Sequence, residues 1–163
     1  MGRNGRFVYG FDEPAEGGRE LLGGKGVGLA EMTQLGVPVP AGFTITTDAC
    51  RAYTRNGQQL PDGLAPEIDE HLNALERKTG KRFGDPANPL LVSVRSGSAM
   101  SMPGMMDTIL NLGLNEATLA GMIRTTGNPR FACDAWRRFV QLFGKIALGV
   151  PDEAFDEAMT AAK

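Results

Sequence analysis

Apolar positions along the chain fall either into short alternating runs or into stripes spaced by three and four residues, which separates strands from helices. Arg6 to Phe11 alternates over a length that suits a short strand. After a loop at 14–18, Gly23-Gly24-Lys25-Gly26 opens a segment in which Leu29, Met32 and Leu35 recur at three-residue steps. That predicts a helix stopped by Gly36 and Pro38. Phe43 to Thr46 is strand-like and β-branched. Thr47, followed by Asp48, is the expected cap of a helix ending at Gly57. Leu64, Ile68, Leu72 and Leu75 form the stripe of a second amphipathic helix, with Gly80 just past its end.

Asp85 to Pro89 is rich in turn residues, and Leu90 to Val94 is the strongest strand signal in the chain. It delivers Arg95 into a long loop of small residues, and Asp107 to Leu112 reads as a returning strand that closes a hairpin. From Asn115 the pattern turns helical. Asn128-Pro129 is a cap followed by proline at the first helical position. The helix behind it carries a polar stripe of Asp134, Arg137, Arg138, Gln141 and Lys145, and is apolar over more than half of its circumference. The tail after Pro151 is a short acidic helix or a frayed end. This order of elements fits an α+β lobe better than a doubly wound sheet.

Composition narrows the function classes. Lys plus Arg is 17 and Asp plus Glu is 19, a net charge of -2, so no basic field marks a nucleic-acid partner. An anion would have to be held by local geometry. Cys50 and Cys133 form no CxxC pair, which suggests neither a zinc site nor a disulfide framework and suits a reducing cytoplasm. No apolar run approaches the ~20 residues of a membrane span, and none follows Met1 as a signal core. Glycine stands out at 22 of 163 residues, and many of these fall in 17–28 and 97–113.

Those two stretches hold the candidate chemistry. Lys25 sits among glycines at the mouth of a helix, where backbone N–H groups and one ammonium make a phosphate contact. It is not a Walker A loop, because Arg19 stands where glycine is required and Gly26 where Ser or Thr follows the lysine. A glycine-rich strand-to-helix turn with a solvated lysine stays open beside it. In the second stretch Arg95 ends a strand and is followed by Ser96, Gly97, Ser98 and Ser101, small residues that let amides approach polyphosphate oxygens around a bidentate guanidinium. Four of the eight methionines lie within 100–106, either closing over a nucleobase or filling a core gap. A structural ion pair of Arg95 with Asp107 stays open as well. His71 reads as a solvated surface histidine, and Asp62, Glu67, Asp69, Glu70 and Glu76 as a solvent-facing acidic stripe.

At 21–40, 42–47, 90–113 and 126–139 the sequence resembles the pyruvate phosphate dikinases, in the wider group that includes phosphoenolpyruvate synthase. The string RSGSAMSMPGMMDTILNLG at 95–113 is highly specific and fits the dikinase branch; the synthases carry an acidic stretch after the arginine. The resemblance implies the first lobe of an ATP-grasp fold over 1–113 and the start of a helical subdomain over 114–163. It implies ATP and Mg²⁺ as ligands, with the metal ligands outside this chain, and inorganic phosphate as co-substrate. It implies as partners a second ATP-grasp lobe and a phosphohistidine domain, in a homodimeric enzyme. Carried over by motif, Lys25 and Arg95 contact the transferring phosphates, and Ser96, Ser101, Gly104, Thr108 and Ile109 line the nucleotide's phosphate end. A stand-alone regulatory or binding module keeping the lobe, or a piece of a phosphoenolpyruvate synthase, are the alternatives.

Overall fold

The computed structural model describes residues 5–97 and 108–161, which divide into two compact units, one built from 5–80 with 97 and the other from 81–96 and 108–161. The class is α+β, with six helices and two antiparallel two-stranded sheets among the described residues.

The first unit is organised by β1 (Val8–Gly10), which pairs antiparallel with β2 (Phe43–Ile45) in the register Val8–Ile45, Tyr9–Thr44, Gly10–Phe43. Successive strand side chains point to opposite faces, and here both faces are covered. Val8, fully buried, packs with Phe7, Ala49 of α2 (Thr47–Arg55) and Leu64 of α3 (Leu64–Thr79). Tyr9, next in the strand, packs instead with Leu21, Leu22 and Ala30 of α1 (Gly18–Gln34). A two-stranded ribbon is marginal alone, so these two apolar layers hold it, at about 1.5–3 kcal/mol for each large side chain buried.

Two local expectations need correction. The cap of α2 is Thr46, whose hydroxyl accepts from the Ala49 N–H at 3.3 Å, rather than Thr47. Thr47 spends its hydroxyl on the Glu20 carbonyl, tying α2 to α1. The α1 stripe is also displaced, since Met32 and Leu35 are 40% and 81% exposed. Its buried residues are Leu21, Leu22, Gly23, Gly26 and Ala30, because the helix is broken at Gly23 (φ 72°, ψ 170°) and restarts in a new phase. Gly26 then lies so close to β2 that a Cβ would come within 3.0 Å of Thr44 Cγ2. A small residue there sets how near the helix can approach the ribbon.

In the second unit β3 (Val92–Arg95) and β4 (Thr108–Leu112) form the expected antiparallel hairpin, and α5 (Pro129–Leu148) packs along β4. Ile109, Leu114, Ala132 and Ala135 are among its buried side chains. The helix α4 (Glu116–Thr126) starts on a reciprocal cap, with Asn115 accepting from the Thr118 N–H and Thr118 from the Asn115 N–H. Thr118 is fully buried and also donates to the Gly113 carbonyl at 3.0 Å, fixing α4 against the hairpin's exit. Asn128 caps α5 by accepting from the Phe131 N–H, with Pro129 first in the helix as expected. The chain after Pro151 is helical, as α6 (Asp152–Ala161).

Candidate functional site

The hairpin's register pairs two of the candidate residues directly, with two more beside them in the chain. Arg95 ends β3 directly opposite Thr108, which begins β4, and Val94 pairs with Ile109. Directly paired strand residues share a face with their Cβ atoms about 4.5–5.5 Å apart, so the Arg95 and Thr108 side chains leave the hairpin on the same face. Ser96 follows on, exposed. Ile109 points the other way and is buried, anchoring this end of the hairpin. Arg95 is exposed and makes no ion pair among the described residues. Ser101, Gly104 and Asp107 lie outside the described residues.

Lys25 belongs to the first unit. The break at Gly23 makes Gly24 and Lys25 the opening residues of the restarted helix, so the half-buried lysine does stand at a helix mouth. The first N–H groups of such a helix lack partners within it, and the helix dipole favours an anion there.

A second polar cluster, absent from the sequence expectations, is centred on His71. Its side chain is 10% exposed rather than solvated. Nδ1 lies 2.7 Å from the Glu67 carbonyl, which can only accept, so this nitrogen donates. Nε2 lies 3.5 Å from both Glu13 Oε2 and Arg6 Nη2, and the ring tilts against Phe43 at 5.7 Å. Arg6 also donates to Glu13 and lies over the Tyr9 ring at 4.6 Å. Glu67 Oε2 accepts from the Phe7 and Val8 N–H groups, both at 2.8 Å. Partial burial pushes the Glu13 carboxyl up, but the Gly10 N–H, the Arg6 guanidinium and His71 outweigh it and hold it below its ordinary value. Asp12, beside an open cleft shared with Glu13 and His71, is also held low, chiefly by the hydrogen bond from Lys78. This cluster joins β1, its following loop and α3. Glu13 and His71 are 58 positions apart, so no spacing signal in the sequence could have paired them. Among the described residues no three His, Cys, Asp or Glu side chains converge to hold a metal, and no helix is long and apolar enough to cross a membrane.

Comparison with known proteins first sets the class. Residues 19–65, which contain the Gly23 break and Lys25, match the family model described as pyruvate phosphate dikinase, AMP/ATP-binding domain. Over 156 residues, 96% of its length, the chain is 54% identical to the pyruvate, phosphate dikinase of Entamoeba histolytica, and it is 51% identical over 158 residues to that of Clostridium symbiosum. A chloroplastic pyruvate, phosphate dikinase of Flaveria trinervia is 51% identical over 160 residues. The chain belongs to the pyruvate phosphate dikinase family. It spans 18%, 18% and 17% of the length of those three relatives.

Proposed function

We propose that this chain supplies the phosphate-gripping part of the ATP-binding domain of a pyruvate phosphate dikinase. Such an enzyme interconverts ATP, inorganic phosphate and pyruvate with AMP, pyrophosphate and phosphoenolpyruvate. The observation that carries the reading is the pairing of exposed Arg95 with Thr108 at the end of the hairpin. Phosphoryl transfer leaves the protein little covalent work, so positioned charge and hydrogen-bond donors are what the site must provide. Arg95 offers a bidentate fork to phosphate oxygens, and Thr108 and Ser96 add hydroxyl donors on the same rim. Ile109, buried beneath, keeps this edge from yielding. Lys25 brings a point charge to backbone donors already directed at an anion. Gly104 and Thr108 match the glycine and threonine of the family's triphosphate-covering loop, and Ser101 is assigned to the nucleotide contact with them.

In this reading residues 1–113 serve as the first ATP-grasp lobe and 114–163 as the start of a helical subdomain. The phosphoryl group leaves ATP for a histidine on another domain, which carries it towards pyruvate, while a second lobe closes over the nucleotide. Mg²⁺ would neutralise the triphosphate when bound, and its ligands are assigned to the parts of the enzyme outside this chain. We assign the enzyme to the cytoplasm as a homodimer, with Cys50 and Cys133 as exposed free thiols in keeping with a reducing compartment.

The test is ATP-dependent labelling of the carrier histidine in the full-length enzyme. Lys25→Met and Arg95→Ala should each slow labelling by about 10²–10³-fold, while exchange between the phosphohistidine and pyruvate continues. Undiminished labelling in both variants would overturn the reading.

A further inference from the structure

The hairpin does not alternate cleanly. Between the pairs Val92–Leu112 and Val94–Ile109, β3 advances two residues and β4 three. The extra residue lies in Leu110-Asn111, opposite Ser93. Asn111 has φ 59°, and only one other non-glycine among the described residues, Gln58, has a positive φ. This is a β-bulge whose left-handed residue is asparagine, the side chain that best tolerates that conformation after glycine.

The bulge decides which side chains share a face. Strict alternation through Thr108-Ile109-Leu110-Asn111-Leu112 would put Leu112 on the face of Thr108 and Asn111 on the face of Ile109. With the extra residue, the partners Val92–Leu112 and Val94–Ile109 lie on one face, all four apolar, while Arg95 and Thr108 lie on the other. The bulge therefore reconciles two demands made within five residues, an apolar seat at both Ile109 and Leu112 and a polar pair at Arg95 and Thr108.

We propose that Asn111 is a positioning residue for the nucleotide-phosphate site, its left-handed backbone holding the register that keeps Thr108 beside Arg95. The inference rests on the proposed role of Arg95 and Thr108. When residue 111 disfavours the left-handed region, the unbulged register, slipped by one residue, becomes competitive, and in it Thr108 no longer opposes Arg95. Slipped molecules cannot bind ATP and ATP draws the population back. Apparent affinity therefore falls with the competent fraction while turnover at saturation survives.

The experiment measures KM for ATP and kcat of histidine labelling in the full-length enzyme carrying Asn111→Gly, Asn111→Ala or Asn111→Val. Glycine takes the left-handed conformation freely, so Asn111→Gly should stay within about twofold of the parent. Asn111→Ala should raise KM roughly tenfold, and Asn111→Val further, with kcat nearly unchanged. If Asn111→Val does not fold, the Gly and Ala pair carries the test. Unchanged KM in Asn111→Ala overturns the proposal, as does a loss of kcat at constant KM. Asn111→Gly failing alongside Asn111→Ala also overturns it, because the side-chain amide and not the backbone would then matter. Arg95→Ala separates the two readings. If that variant labels normally, the proposed function itself has failed; if it collapses while Asn111→Ala keeps its KM, only the present inference has.

Discussion

Arg6 stands two residues before β1 and Arg95 ends β3, in different units of the molecule, and their surroundings differ sharply. Arg6 is engaged on several sides, by the Glu13 carboxylate, the Tyr9 ring and the edge of His71. Arg95 has Thr108 across the ladder and no ion pair among the described residues. A guanidinium with its partners supplied from within the fold has its donors spent on joining elements. One that ends a strand exposed, with no ion pair among the described residues, fits the phosphate contact proposed for it. The residue type is the same, and the neighbours assign the role.

The largest effect expected from this contrast is kinetic. Arg95→Ala should cut ATP-dependent phosphorylation by about 10²–10³-fold and move the melting temperature by no more than a few degrees, as for an exposed substitution. Arg6→Ala should do the reverse, lowering the melting temperature while leaving the labelling rate per folded molecule close to the parent. Parallel melts and single-turnover labelling of the two variants decide it. A large stability loss in Arg95→Ala would break the comparison and make that arginine structural.

Next in size is Glu67, the carboxylate that serves two backbone N–H groups at the start of β1. Glu67→Ala leaves both donors without their partner beside the buried Phe7 and Val8, at a cost of about 2 kcal/mol, or roughly 4–8 °C in melting temperature. Glu67→Gln retains an acceptor oxygen and should lose less than half of that. Equal melting of the two variants would show that charge, rather than acceptance, is what β1 needs. Neither substitution should change the KM for ATP in the full-length enzyme.

What was legible in the sequence follows the same division between local and distant causes. The Asn128-Pro129 start of α5, the strand that delivers Arg95 and the hairpin return all rest on residues within a few positions of one another, and each was expected. The cap of α2 was misplaced by one residue because Thr46 and Thr47 are chemically equivalent, and only the Glu20 carbonyl brought in by α1 tells them apart. His71 was misjudged because its burial depends on Glu13, Arg6 and Phe43, all far away in the chain. The bulge left only a faint trace in the sequence. Asparagine stands between Leu110 and Leu112, a residue that tolerates the left-handed conformation, although Leu110 and Leu112 alone would also suit one face of a regular strand.

The smallest effect concerns how the His71 cluster responds to acid. Glu13 is held below its ordinary value of 4.5 in the fold, where the Gly10 N–H, Arg6 and His71 together outweigh the upward push of partial burial. The folded state therefore binds this proton less readily than the unfolded chain does. The stabilisation is full at pH values above 4.5 and is lost as pH falls through the folded-state value. Glu13→Gln cannot titrate, so its melting temperature should lie below the parent's at neutral pH, and the two should converge as the medium is acidified below pH 4.5. The gap should be small, because the side chain is 38% exposed and solvent screens its partners. Asp12 falls in the same direction through its hydrogen bond from Lys78, so the parent's slope should be flattened but not abolished by Glu13→Gln. Salt sharpens the point, since screened surface pairs weaken with ionic strength while the hydrogen bond from the Gly10 N–H does not. A gap that persists undiminished in high salt assigns the effect to that backbone hydrogen bond. A gap that widens on acidification would mean that the protonated carboxyl is the form the fold prefers, against the direction set by these neighbours.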